Sequence, residues 1–276
     1  LVDGKEFMTG DTKMAMKNLP TSIVEKIKAY DEKSDLARIT GVDDGEETTV
    51  LDFGLKKGMN RGTFANVDLG LGNHSRYAER GMGAYFDDKN RLMMFGSANN
   101  VNDMGFHGGG RGRFGAGRQG LNAAKMLGFN YNYEKVKKIR IDLSAFWNHN
   151  DGDAFTHSSS ENFVNTTGAF SNSIRQNYSR SDSWNVQGRL EWQPDTMTNI
   201  MFRPTLSWSK SDGLTTATSA SFNADPYLYS ESPLDDSELE EMSREGIVVN
   251  SQKSNSISYS NSKNLSGMLQ VNRKLN

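Results

Sequence analysis

The chain has 276 residues, room for one large domain or two small ones, and no cysteine for a disulfide or a thiolate metal site. A net charge of −2 removes the broad basic field that would attract nucleic acid, so no nucleic-acid partner is expected. Mean hydropathy is −0.68, and no window approaches the roughly 20 apolar residues of a spanning helix; that excludes a helical membrane protein and leaves a β-barrel open, since half of each barrel strand is polar.

Residues 1–56 read as a small α+β unit, too short to be a full domain alone. Asp11 is placed to cap a short helix through Leu19, with Met14, Ala15 and Leu19 on its apolar side and Pro20 as its stop. Ile23 to Asp31 alternates as a strand, Asp43-Asp44-Gly45-Glu46 marks a turn, and Thr48 to Lys56 reads as a second strand. The chain opens without a signal peptide or initiator Met and closes on a turn-like Arg273-Lys274-Leu275-Asn276, so it is expected to be an internal fragment.

A ladder of period-two segments begins at Lys57. Strands are expected at about 61–72, 79–87, 91–98, 122–133, 139–148, 184–193 and 200–210, with an eighth after residue 260 that sets Leu265, Gly267, Leu269 and Val271 on one face. The clearest case sets Ile139, Ile141, Leu143, Ala145 and Trp147 against Arg140, Asp142, Ser144, Phe146 and Asn148. It returns with Trp184, Val186, Gly188, Leu190 and Trp192 against Asn185, Gln187, Arg189, Glu191 and Gln193. Tight turns follow the second, fourth, sixth and eighth strands, whereas the other connections grow from 73–78 through 99–121 and 149–183 to 211–260. Short turns on one side and long loops on the other are the habit of outer-membrane barrels, with the short turns in the periplasm. Trp147, Trp184 and Trp208 then fall at the outer strand ends, and Trp192, Tyr131 and Tyr133 at the inner ends, as two aromatic girdles. A soluble β-sandwich also alternates and can also keep its core face free of charge. Turn-length alternation and paired girdles favour the barrel.

Further residues add to the ladder. Val2-Asp3-Gly4-Lys5-Glu6-Phe7, Gly10-Asp11, Asn18-Leu19-Pro20 and Val24-Glu25-Lys26-Ile27 resemble the plug domain of TonB-dependent outer-membrane receptors. The closest likeness is to the Bacteroidetes members grouped as an outer-membrane β-barrel family. Ser34-Asp35, Thr40 to Glu46 and Leu55-Lys56-Lys57-Gly58 fit the plug-to-barrel junction, and Arg76-Tyr77 and Gly96 to Asp103 resemble the opening of that barrel. The similarity covers about residues 1–148; beyond that only strand rhythm supports it. It implies the C-terminal part of a plug (1–56) and the first eight or so antiparallel strands (57–276) of a barrel of roughly 22 strands with a plugged lumen. It also implies an outer-membrane address, contact with outer-membrane lipid, and energised uptake of a scarce nutrient such as an iron chelate, a glycan or a peptide. The TonB energy-coupling complex would engage a segment upstream, a surface lipoprotein is a further possible partner, and no bond is made or broken. Other readings are a non-transporting barrel that adheres through its long loops, or a soluble extracellular β-protein.

Local motifs carry little chemistry of their own. Gly115-Ala116-Gly117-Arg118-Gln119-Gly120 spells G-x-G-x-x-G, but the glycine-rich residues before it cannot be the buried strand of a dinucleotide fold, and no Lys-Ser/Thr follows for a phosphate loop. The same stretch holds Arg111, Arg113 and Arg118, which with Asn99, Asn100, Asn102 and Asp103 are the candidate ligand-facing loop residues. Asp235, Asp236, Glu238, Glu240 and Glu241 lack EF-hand spacing and read as a solvated acidic loop. His74, His107, His149 and His157 lack metal-ligand spacing, no Ser-His-Asp set can be argued, and the methionines read as packing residues. No cofactor, metal or catalytic residue is expected. Arg140, Asp142, Arg189 and Glu191 sit on lumen-facing parities, suited to cross-strand pairing and plug contact.

Overall fold

A computed structural model describes residues 1–2, 4, 24–34, 37, 41–56, 61–102, 120–135, 138–164 and 167–274. The expected helix at 11–19 lies outside them.

Two antiparallel strands, β1 (Val24–Lys33) and β2 (Glu47–Leu55), form a small N-terminal sheet. Its turn follows from local chemistry. Gly45 takes φ 75°, and Asp43 and Asp44 accept from the amides of Gly45 (3.0 Å) and Glu46 (3.1 Å). Leu1 and Val2 add a short parallel bridge beside Phe53.

The rest is a meander of eight antiparallel strands with neighbours in chain order: β3 (Gly62–Leu71), β4 (Tyr77–Phe86), β5 (Asn90–Asn99), β6 (Leu121–Lys135), β7 (Ile139–Glu161), β8 (Phe170–Trp192), β9 (Thr198–Phe222) and β10 (Val248–Arg273). The expected strand count and order hold, and the fold is mostly β with a large antiparallel sheet. The last four strands correct the expected loops. Residues 149–161, 170–183, 211–222 and 248–259 are strand, so the β7–β8 connection shrinks to 162–169 and the β9–β10 connection to 223–247.

Two of the tight turns rest on carboxylate caps. Asp87 accepts from the amides of Lys89 (2.7 Å) and Asn90 (2.6 Å), and Asp195 from those of Met197 (2.8 Å) and Thr198 (2.7 Å). Adjacent turns are laced together. The amides of Glu134, Gln193 and Lys274 donate to the carbonyls of Lys89, Lys138 and Met197 at 2.8–2.9 Å.

Packing distinguishes the two faces of the sheet. Val2, Phe53 and Leu55 of the N-terminal unit are buried against Met82, Ala84, Phe86, Met93, Phe95 and Met126 of β4–β6. We call this the inner face. Phe95 lies over Gly128, directly opposite in the register, where no Cβ could fit. Arg91 closes the contact by donating to the Val2 carbonyl and lying 5.8 Å over the Phe86 ring.

A second cluster sits at the far ends of β8–β10. Phe222 is fully buried with Ala220, Leu234, Met242 and Ile247, and Phe170, Ile174, Leu239 and Val248 pack around them. Helix α1 (Asp236–Arg244) supplies Leu239 and Met242. The acidic run expected as a solvated loop is therefore helical. Asp235 is its N-cap residue, and Asp236 and Glu238 in its first turn complement the helix dipole.

Candidate functional site

The outer face is apolar in rows that cross the sheet. One row joins Val67, Gly81, Gly96, Leu127, Trp147, Trp184 and Trp208 and ends on Lys263 of β10. The next joins Ala65, Gly83, Met94, Phe129, Ala145, Val186, Leu206 and Leu265. Below them lie Tyr131 with Leu143, then Tyr133, Ile141, Leu190, Phe202 and Leu269, then Ile139, Trp192, Ile200 and Val271. These side chains are not covered: Leu206 is 43% exposed and Val67, on the edge strand, 66%.

Charge returns abruptly at both borders. One residue pair past the Trp147–Trp184–Trp208 row come Glu79, Lys125, His149, Asp182 and Lys210; at the other end Lys135 lies in the last row opposite Ile139, and Arg273 lies beyond it. The first border is knit by stacking and pairing. Trp147 lies 6.1 Å from Trp184 and 6.0 Å from His149, and His149 Nδ1 is 2.8 Å from Asp182. Between Trp184 and Trp192 the strand spans roughly 26 Å, or about 20 Å in projection at the usual tilt of barrel strands.

The inner face divides into two fields. Across β4–β6 it is the Met and Phe surface that receives Val2, Phe53 and Leu55. Across β6–β9 it is polar and charged. Asp142 and Glu191 are each 7% exposed. Asp142 accepts from Asn132 and Arg140, both at 2.8 Å. Glu191 accepts from Arg189 at 3.2 Å and Asn199 at 3.1 Å. The register sets Arg140 opposite Glu191 and Asp142 opposite Arg189. The four expected inner-face charges thus form one cluster of alternating sign, with its closest ion pairs running along each strand.

Beside this cluster is a cleft of about 300 Å³, lined by Asn130, Asp142, Ser144, Gln187, Arg189, Arg203 and Thr205, with the backbone of Leu143 and Gly188. Sequence reading did not single out Arg203, Asn130, Gln187 or Thr205. The period-two pattern puts each on the inner parity, but only the register shows that they converge.

The loop candidates separate. Asn99 is buried at the end of β5 and accepts from the Val101 amide at 3.3 Å. Asn100 binds the β3–β4 turn, accepting from the Tyr77 amide (2.8 Å) and donating to the Ser75 carbonyl (2.9 Å). Asn102, at φ 59°, spans the loop neck through the Gly120 carbonyl and the Asn122 amide, both at 2.9 Å. The amides of Asn100 and Asn102 thus hold backbone. Asp103, Arg111, Arg113 and Arg118 lie outside the described residues, as does the G-x-G-x-x-G string up to Gln119.

Among the described residues no group of His, Asp or Glu is arranged to hold a metal ion. His157 Nε2 is 3.1 Å from the Tyr227 hydroxyl, and His74 occupies a left-handed turn at φ 58°. Among the described residues no helix is long and apolar enough to cross a membrane, which says nothing of strands.

No protein-family model matches the chain. No curated protein matches it either.

Proposed function

We infer that the chain is the plug end and first wall of a TonB-dependent outer-membrane receptor that takes up a scarce nutrient by energised transport. The observation that carries this reading is the inverted polarity of the sheet. Its apolar rows, charged only where the first ends on Lys263 and the last begins at Lys135, are exposed on the outer face, whereas its buried charges and the N-terminal unit sit on the inner face. A soluble sheet buries its apolar side; a wall between lipid and a filled lumen does the reverse.

On this reading residues 1–56 are the end of the plug, seated against β4–β6. The aromatic rows mark the lipid interfaces, the laced turns face the periplasm, and β3 and β10 each pair with a further strand. Ligand is captured outside, the plug is pulled through the TonB complex, and ligand passes along the polar inner wall. The chain makes and breaks no bond.

The level tips of β7–β10 and their helical cap favour a second reading, a barrel that adheres through this raised rim without transport. The full gene expressed in a Gram-negative host tests both. The receptor reading expects a salt-resistant outer-membrane protein that cross-links to TonB. Recovery in the same membranes without that cross-link would select the adhesive reading, and release by salt as a soluble protein would overturn both.

A further inference from the structure

We propose that the inner face of the raised β7–β10 wall binds an uncharged, polyhydroxylated solute, an oligosaccharide chain, ahead of its transport. This rests on the receptor reading and selects one solute class within it.

Beyond the Trp147–Trp184–Trp208 row the register sorts charge by face. On the outer side stand Asp151, Asp153, Arg180, Asp182, Lys210 and Asp212. On the inner side, the rows from Ser183–Ser209 up to Ser171–Ser221 consist of Ser, Thr, Asn, Gln, Gly and Ala across all four strands, and Arg175 is their one charge. Solvation alone does not require this division, because water accepts charge equally on either exposed face.

The chemistry of the neutral side matches hydroxyl groups. A serine or threonine hydroxyl donates one hydrogen bond and accepts others, and an amide side chain does both. A sugar ring carries the same paired donors and acceptors around its edge. Bonds within the wall leave this capacity in place. Ser158 and Ser173 share one contact at 2.7 Å and Thr215 donates to Asn177 at 2.6 Å, and each hydroxyl oxygen can still accept. A charged solute meets a poorer match. An anionic iron chelate or a zwitterionic peptide is held best by groups of opposite charge, and this face offers only Arg175.

Shape agrees with an extended ligand. Short side chains keep the surface low, and Ser209 and Ser211 are exposed. From Ser183 to Ser171 the wall runs about 40 Å along the strand, room for a chain of sugars rather than a single ring. Below it the same face continues through Asn185 and Ser207 to Gln187 and Thr205 of the cleft.

The test presents the full-gene product, extracted in detergent, to an array of neutral and acidic oligosaccharides, with ferric citrate and a tripeptide mixture as charged probes in calorimetry. Retention of at least one neutral oligosaccharide is expected. Replacing Ser181, Ser183, Ser209 and Ser211 together by Val, which suits a strand but offers no hydrogen bond, should weaken that binding at least about tenfold. Thr216→Val combined with Thr218→Val, on the outer face of the same strand, should bind as the wild type does. Binding confined to acidic glycans, ferric citrate or peptides, no binding at all, or undiminished binding by the fourfold variant overturns the proposal. Fluorescence in brominated-lipid vesicles separates this from the receptor reading. Quenching of Trp147, Trp184 and Trp208 without retention of a neutral glycan sinks only the solute class, and absence of quenching sinks the receptor reading as well.

Discussion

Gly128 carries no side chain because the Phe95 ring occupies that space, and the ring in turn belongs to the cluster that seats Val2 and Phe53. A methyl group at this position must push the ring out of its place. Gly128→Ala is therefore expected to destabilise by about 1–3 kcal/mol, the usual cost of overpacking, read as a lower thermal midpoint in micelles. Adding Phe95→Leu should recover part of the loss, and a double variant no better than the single would refute the contact. Asp87 supports a second residue-scale expectation. Amide and side-chain hydrogen bonds from Asn90, with the Lys89 amide, lower its carboxyl from the ordinary 3.8 to about 2. A lowered carboxyl stabilises the folded turn above the unfolded value near 4 and loses that contribution as pH falls toward 2. An NMR titration of the Asp87 carboxyl should show its midpoint near 2, and Asn90→Ala should move it upward. A midpoint that stays put in Asn90→Ala would show that the Asn90 side chain does not hold the carboxylate.

At the scale of elements, β7, β8 and β9 run past the Trp147–Trp184–Trp208 row for roughly 46 Å of strand each and end level with one another. They are expected to be protected from hydrogen exchange over 149–161 and 209–222. Exchange of those amides as fast as in an unstructured peptide would argue that the extensions are loops. These extensions are also where sequence and structure part. Within the apolar rows, alternation of Leu, Ile and Trp with Arg, Asp and Asn exposes the period of two, so all eight strands were legible there. Beyond the rows both faces are polar, as in 157–161 (His-Ser-Ser-Ser-Glu) and 215–219 (Thr-Thr-Ala-Thr-Ser), and no periodicity remains to read. What holds these segments is the ladder and its cross-strand polar pairs. Ser158 bonds Ser173 at 2.7 Å, Thr215 bonds Asn177 at 2.6 Å, and Arg180 meets Asp151 at 2.9 Å. The helical cap was hidden for a related reason, because its anchoring Leu234, Met242 and Ile247 are scattered among charges and gain meaning only against Phe222. For the cleft, the inner parity of Arg189 was legible, but its convergence with Arg203 depends on a register that connection lengths did not fix.

For the whole molecule the decisive quantity is the cost of charge on each face. Leu206 lies mid-row on the outer face between Val186 and Leu265, whereas Ser207, one residue on, lies on the inner face between Asn185 and Asn264. If the outer rows meet lipid, Leu206→Arg places a guanidinium one row inside the Trp208 border and should cost about 1–3 kcal/mol, below the midplane value of roughly 2–4. Ser207→Lys should cost far less, since its neighbours are amides and water can reach it. Urea unfolding of the full-gene product in lipid vesicles measures both differences. A soluble sheet with a solvated outer face predicts another outcome, because Leu206 is already 43% exposed and an arginine there would be nearly neutral. The same comparison bears on the edges. In the described sheet β3 and β10 each pair on one side only, and β10 carries Leu265, Leu269 and Val271 exposed beside its open backbone. Such an edge recruits other strands. The 276-residue chain expressed alone should therefore aggregate without detergent, whereas a monodisperse soluble monomer, together with a neutral Leu206→Arg, would remove the physical basis for a lipid-facing wall.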